Sequence, residues 1–266
     1  MSAVTVNPRT APDPSNLVLG RGAIYFDRFV TNTSTRQGEF HMGNCTTFEV
    51  ETKVETKEKY ESMDHSSNLY QRGVTRQTTT LKITGDEFTP ANLANALNGV
   101  VETITGSGAT ISAETITPAG GALLGAYYAL AHRNITTLTD VKIASVSLVL
   151  GTDYTADLVR GRIFIMPTSV TVTPGSVLTA DYVYGAYSYP AVNLSQVGTV
   201  DGYVHFIPDN IKGPNWEAEY WHVQFTPSGN QGWIADDFGN WTLEGMVIID
   251  PINHPTEPLG HLIQTT

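Results

Sequence analysis

Cysteine is nearly absent: Cys45 stands alone in 266 residues. No disulfide can form within the chain, which fits folding in a reducing cytoplasm. Charge is also sparse. Asp, Glu, Lys and Arg make up 15% of the residues, against about 25% in ordinary globular chains. The formal net charge is −11, and Lys and Arg nowhere gather into a run. An acidic chain without a Lys/Arg run is a poor candidate for gripping nucleic acid, since phosphate binding needs clustered positive charge. It could still surround nucleic acid without holding it. No stretch approaches the roughly 20 apolar residues of a membrane helix. The opening MSAVTVNPRTAPDPSN carries no apolar segment of the secretory kind, so neither membrane nor export is expected.

The usual catalytic signatures are missing as well. The seven histidines lie at 41, 65, 132, 205, 222, 254 and 261, and none forms the helical pair with a glutamate that zinc hydrolases use. His205 and His222 read as surface or interface residues on strands. There is no Gly-X-Ser-X-Gly elbow and no phosphate-cradling loop; Gly20-Arg21-Gly22 leads into a strand instead of a helix. Cys45 reads as a small hydrophobe, and Asp236-Asp237 as a turn. Glu49 and Glu51 share a strand face about 7 Å apart, a separation compatible with glycosidase carboxylates. They stand, however, in a row with Lys53, Glu55 and Lys57, the pattern of a solvated face. No enzyme, metal or cofactor is expected.

What fills the gap is Thr, Gly, Val and Ala, a composition that favours strands, so the chain is expected to be mainly β. The clearest pattern is at Phe40–Gly99. Phe48, Val50, Thr52, Val54 and Thr56 alternate with Glu49, Glu51, Lys53, Glu55 and Lys57, which places the two sets on opposite strand faces. Residues 58–76 read as a long polar loop. Gln77–Gly85 reads as a returning strand, with Thr78, Thr80, Lys82 and Thr84 opposite Thr79, Leu81 and Ile83. Thr89 as N-cap and Pro90 at the first position open a short helix, Pro90–Asn98, with Leu93 and Leu97 one turn apart. That helix is expected to cover Phe48, Val50, Leu81 and Ile83.

Short apolar runs separated by Gly, Pro and Asp turns mark an inserted small sandwich at 105–190, with Leu124–Ala131 and Ala144–Leu150 among its strands. Longer strands resume at Tyr203–Ile207 and Ala218–Phe225, where Trp221, Val223 and Phe225 share a face, and end at Trp241–Ile249. Residues 1–16 read as one arm. Residues 251–266, with three prolines, read as a second arm that cannot pair as a central strand.

Four blocks in this order resemble the tail tube (major tail) proteins of long-tailed, non-contractile bacteriophages. The first is Gly20–Asp27. The second is Gly43-Asn44 with Phe48–Lys53 and Tyr60–Ser62. The third is Asp153-Tyr154, Gly161–Ile165 and Asp181–Tyr184. The fourth is Phe225–Gly229 with Gly232-Trp233 and Trp241–Ile249. The resemblance implies a β-sandwich or partial barrel built from 17–104 and 191–250, with one flanking helix. It further implies homohexameric rings stacked into a tube through which phage DNA passes into the host, and tape-measure, terminator and distal tail proteins as partners in the virion. On that footing Glu49, Glu51, Lys53, Glu55, Lys57, Thr78, Thr80 and Lys82 would line the lumen, with net negative charge repelling phosphates. Tyr60, Met63, His65, Leu69, Tyr70 and Arg72 would reach the next ring, as would both arms.

A second reading is a carbohydrate- or surface-binding sandwich using Tyr127, Tyr128, Tyr182, Tyr184, Tyr187 and Tyr189. A third, resting on the Glu49/Glu51 pair alone, is a glycoside hydrolase.

Overall fold

The period-two patterning produces a mainly β chain, with strand over 52% of it. The computed structural model describes residues 13–31, 33–63, 65–227, 233–234 and 236–265. In chain order the elements are β1 (Gly22–Arg28), β2 (Phe40–His41), β3 (Cys45–Tyr60), β4 (Leu69–Gly85), α1 (Pro90–Ala96), β5 (Val100–Gly106), β6 (Ala109–Thr115), β7 (Tyr127–Ala129), β8 (Ile135–Ile143), β9 (Val146–Ser147), β10 (Tyr154–Asp157), β11 (Arg162–Ile165), β12 (Leu178–Tyr184), β13 (Tyr187–Asn193), β14 (Val200–Pro208), β15 (Trp216–Pro227), β16 (Trp241–Val247) and β17 (Gly260–Gln264). Two compact units result: Met1–Val101 with Val192–Thr266, and Glu102–Ala191. β5 and β13 pair as a two-stranded sheet of their own.

The first unit is one antiparallel sheet in the order β2-β1-β14-β15-β16-β4-β3. The edge of β15 away from β14 is shared, Trp216–Tyr220 pairing with β17 and Val223–Pro227 with β16. One sheet face is dry and holds Ile24, Phe26, Leu81, Ile83, Val204, Val223, Phe225, Trp241 and Leu243. The sheet curls, because the Phe48 ring on the edge strand β3 stacks on Phe206 of β14 at 5.0 Å. Helix α1 lies against β15 and β16. Its Thr89 cap accepts from the Asn92 amide at 3.1 Å, and it ends at Ala96, two residues short of the expected stop.

The helix does not use its leucines as expected. Leu93 and Leu97 are half-buried, whereas Asn92, Asn95 and Asn98 are buried. Asn92 donates to the carbonyls of Met42 (2.9 Å) and Glu87 (3.0 Å), and Asn95 accepts from Arg28. Amide hydrogen bonds therefore fix the helix, while Val50 stays exposed and uncovered by it.

A register shift between Gly202 and Val204 adds a residue to β15. Trp221 consequently leaves the face of Val223 and Phe225 and stacks on Tyr203 and His254. The end of the supposed second arm is also a strand. Once past Pro258, Gly260–Gln264 is free of proline and pairs with β15 as β17. Residues 1–12 of the first arm lie outside the described residues.

The second unit packs a four-stranded sheet, β6-β12-β8-β9, and a three-stranded one, β10-β11-β7. They enclose Val141, Ile163, Ile165, Leu178, Ala180 and Tyr182. The apolar run 124–131 is not a continuous buried strand. Gly125 turns at φ 75° and Leu124 is exposed, leaving only β7. Ala144, at φ 51°, likewise turns the chain between β8 and β9.

Asp27 anchors the start of the first unit. Its buried carboxylate accepts from Arg36 Nε (2.7 Å) and from the amides of Gln37 (2.8 Å) and Gly38 (2.9 Å). Burial pushes the carboxyl up, but these hydrogen bonds and the guanidinium outweigh it and hold it below the usual carboxylate range. A depressed pKa contributes stability above the unfolded value of about 3.9, lost as pH falls through the folded one. Asp27→Asn is expected to lower the unfolding free energy by about 3 kcal/mol at neutral pH. In denaturant titrations the gap from the parent should close below about pH 4; a gap constant with pH would contradict this.

Candidate functional site

The most unusual element of the first unit is the β3/β4 hairpin. β3 has 16 residues and β4 has 17, but β16 pairs with β4 only over Thr80–Gly85. Beyond Thr52 and Thr79 the two strands continue as an unsupported ribbon for about 30 Å at the usual strand rise. Residues 58–76 are thus mostly strand, and the connection is only Glu61–Asn68, closed by the Glu61 amide on the Asn68 carbonyl at 2.9 Å. Of the residues assigned to the loop, Met63 and His65 lie in this turn, Tyr60 ends β3, and Leu69, Tyr70 and Arg72 belong to β4. Polar residues on both faces had disguised the strand.

The charged face is assembled as the alternation predicts. Glu49 pairs across with Lys82, Glu51 with Thr80, Lys53 with Thr78 and Glu55 with Arg76, while Lys57 meets Gly73. The face continues onto β16 and β15, where Glu244, Met246, Thr226 and Gln224 join Glu49, Glu51, Lys53, Thr80 and Lys82 around a shallow depression of about 470 Å³.

Its charge is balanced, which corrects the expectation of a net negative wall. Glu49, Glu51, Glu55 and Glu244 stand against Lys53, Lys57, Lys82 and Arg76. Lys53 meets Glu51 at 3.1 Å, Arg76 meets Glu55 at 3.7 Å, and Lys82 meets Glu244 at 3.9 Å. These exposed pairs are each worth about 0.2–1 kcal/mol. Their effect is to leave no free cluster of cations for a phosphate. Glu244 was legible in the β16 alternation, but its pairing with Lys82 depends on strand order, which no local pattern carries.

The opposite face carries an apolar stripe. Two register shifts build it, one between Glu55 and Thr56 and one between Lys59 and Tyr60. The first leaves Thr75 unmatched and turns Val74 to the side of Val50 and Val54. The second does the same at Tyr70, setting Leu69 opposite Tyr60 on that side. Val50 is 45% exposed, Val54 51% and Val74 66%. Between Val74 and the Leu69/Tyr60 pair lies the Glu58–Arg72 ion pair at 3.6 Å.

Among the tyrosines of the second unit, Tyr128, Tyr182 and Tyr184 are core residues. Tyr127 lies under the Arg162 guanidinium at 4.4 Å, and Tyr187 and Tyr189 stack on each other at 5.4 Å. They do not form one open aromatic platform. A polar cluster that the sequence reading missed, His205 with Glu217 and Glu219, lies on the same sheet as the hairpin.

Fold and surface together define a mainly β protein of antiparallel sheets with a single α-helix among the described residues and one projecting ribbon. The chain belongs to the family described as "Protein of unknown function UCP028589", whose model matches residues 17–266. No curated protein matches it. Among the described residues no helix is long and apolar enough to cross a membrane.

Cys45, half-buried at the start of β3, is set apart from chemistry. Burial pushes its thiol up to about 11, helped by the charges of Asp86 and Glu87. Alkylation by iodoacetamide at pH 8 is expected to run at least about 50-fold slower in the folded chain than after unfolding, and to accelerate about tenfold per pH unit. Equal rates would contradict this environment.

Proposed function

We propose that this protein is a structural subunit that assembles with copies of itself into stacked rings, forming the tail tube of a bacteriophage. One observation carries the reading: the β3/β4 ribbon extends past its own core with an apolar stripe on one side and an unpaired β3 edge. An isolated two-stranded ribbon is at best marginally stable in water, and a long open edge invites pairing. Neighbours in a closed ring would cover the stripe and remove the edge. Six copies per ring, the stacking and the DNA cargo are taken from the resemblance to tail tube proteins. The paired charges of the opposite face suit a channel wall, since DNA sliding past meets no unpaired cationic cluster to hold it. The turn around Met63 and His65 then sits at the ribbon tip, where contact with a neighbouring ring would occur.

Negative-stain microscopy of the concentrated full chain is expected to show rings or hollow tubes. Val54→Glu with Val74→Glu should abolish them and leave the monomer within about 0.5 kcal/mol of the parent, because both residues are exposed in the subunit. A parent that stays monomeric at all concentrations would overturn the proposal. Reversing Glu49, Glu51 and Glu55 to Lys should make assembled tubes retain double-stranded DNA in a salt-dependent manner. Equal behaviour of parent and variant would remove this face from the lumen.

A further inference from the structure

The sheet register brings five side chains into one cross-strand row. His41 stands opposite Tyr25, Tyr25 opposite His205, His205 opposite Glu219, and Glu219 opposite His261, on β2, β1, β14, β15 and β17. Glu217, two residues before Glu219 on β15, points to the same side. Ligand atoms of His205, Glu217 and Glu219 all lie within 4.8 Å of one another. His205 Nε2 is 2.7 Å from Glu217 Oε1 and 3.8 Å from Glu219 Oε1, and His261 Nε2 is 3.2 Å from Glu219 Oε2. Two donors on a tetrahedral Zn²⁺, each about 2.1 Å from the ion, stand about 3.4 Å apart. The observed separations bracket that value.

One further feature points to a cation, the support behind His205. Its Nδ1 meets Glu39 Oε2 at 3.0 Å, and Glu39 is in turn held by Arg36 at 2.8 Å. A carboxylate behind a histidine whose other nitrogen faces acidic donors is the outer support that metal-ligating histidines ordinarily have.

We infer that His205, Glu217 and Glu219 form a structural site for a divalent transition metal ion, with Glu39 orienting His205. Mixed imidazole and carboxylate donors suit Zn²⁺ and its neighbours better than Mg²⁺ or Ca²⁺. On binding, any proton on His205 Nε2 leaves to solvent and the lone pair takes the ion. The consequence is mechanical: an ion shared by His205 of β14 and by Glu217 and Glu219 of β15 would tie these two strands together. The site lies wholly within one subunit and does not depend on the assembly reading.

The test is calorimetric titration of the chelator-stripped full chain with ZnCl₂, combined with hydrogen exchange on β14 and β15. One ion per chain with a micromolar or tighter Kd is expected, together with slower exchange at Val204–Phe206 and Glu217–Glu219. Glu219→Gln and His205→Gln should weaken binding at least 100-fold, and Glu39→Gln about 10- to 100-fold. His132→Gln, in the other unit, should leave it unchanged. If Glu219→Gln does not fold, as judged by near-UV circular dichroism, Glu217→Gln supplies the same arm. Absence of stoichiometric binding in the parent would overturn the inference. So would binding that survives both His205→Gln and Glu217→Gln.

Discussion

The first unit depends on a single constraint: one curled sheet has to keep one face dry along its whole width. Strand alternation supplies that face from β1 to β4, and the contact of Phe48 with Phe206 closes it at the β3 edge. Past Val50 there is nothing left to cover, yet the ladder continues. Each ordered ribbon residue costs about 1–2 kcal/mol of backbone freedom. A cross-strand side-chain pair returns about 0.2–1 kcal/mol, and a net hydrogen bond about 0.5–1.5 kcal/mol. Pairs such as Glu55–Arg76 and Glu58–Arg72 lie in the same low range. The ribbon therefore stands close to balance alone, and burial of Val50, Val54, Val74, Leu69 and Tyr60 by a neighbour would tip it firmly toward order.

Bulges decide what each face carries. Without the extra residue at Thr75, Val74 would fall among the lysines and glutamates of the charged side, since a one-residue slip exchanges strand faces. The shift on β15 moves Trp221 out of the core and onto Tyr203, where His254 covers its other side. In each case an apparent break in alternation re-aims a large side chain without disturbing the ladder beyond it.

This explains which features were legible. The charged row Glu49–Lys57, its partners Thr78, Thr80 and Lys82, the Thr89 cap and the buried pair Leu81/Ile83 all follow from period two or from local capping chemistry. What escaped depends on partners distant in sequence. The far half of the ribbon looked like a loop because polar residues occupy both faces and two bulges interrupt the count. β17 was hidden by the prolines before it. The helix looked leucine-anchored because buried asparagines are unusual until the carbonyls of Met42 and Glu87 are seen waiting for them. His205, Glu217 and Glu219 come together from two strands, and a spacing search cannot find ligands aligned across a sheet.

That cluster also bears on why so acidic and charge-poor a chain gathers carboxylates in one place. Glu39, Glu217 and Glu219 are all partly withdrawn from water around His205. Carboxylates moved out of water lose several kcal/mol of hydration each unless a counter-charge replaces it. Arg36 is already engaged by Asp27 and Glu39, so it cannot serve the whole group. Burial disfavours a charged His205, while the hydrogen bonds to Glu39 and Glu217 more than offset this and raise its pKa. Even so, one imidazolium carries a single positive charge for three carboxylates. A divalent ion doubles that charge at the point where Glu217 and Glu219 converge on His205. Electrostatic balance thus makes the same demand as the ligand geometry, and a cation between β14 and β15 meets both.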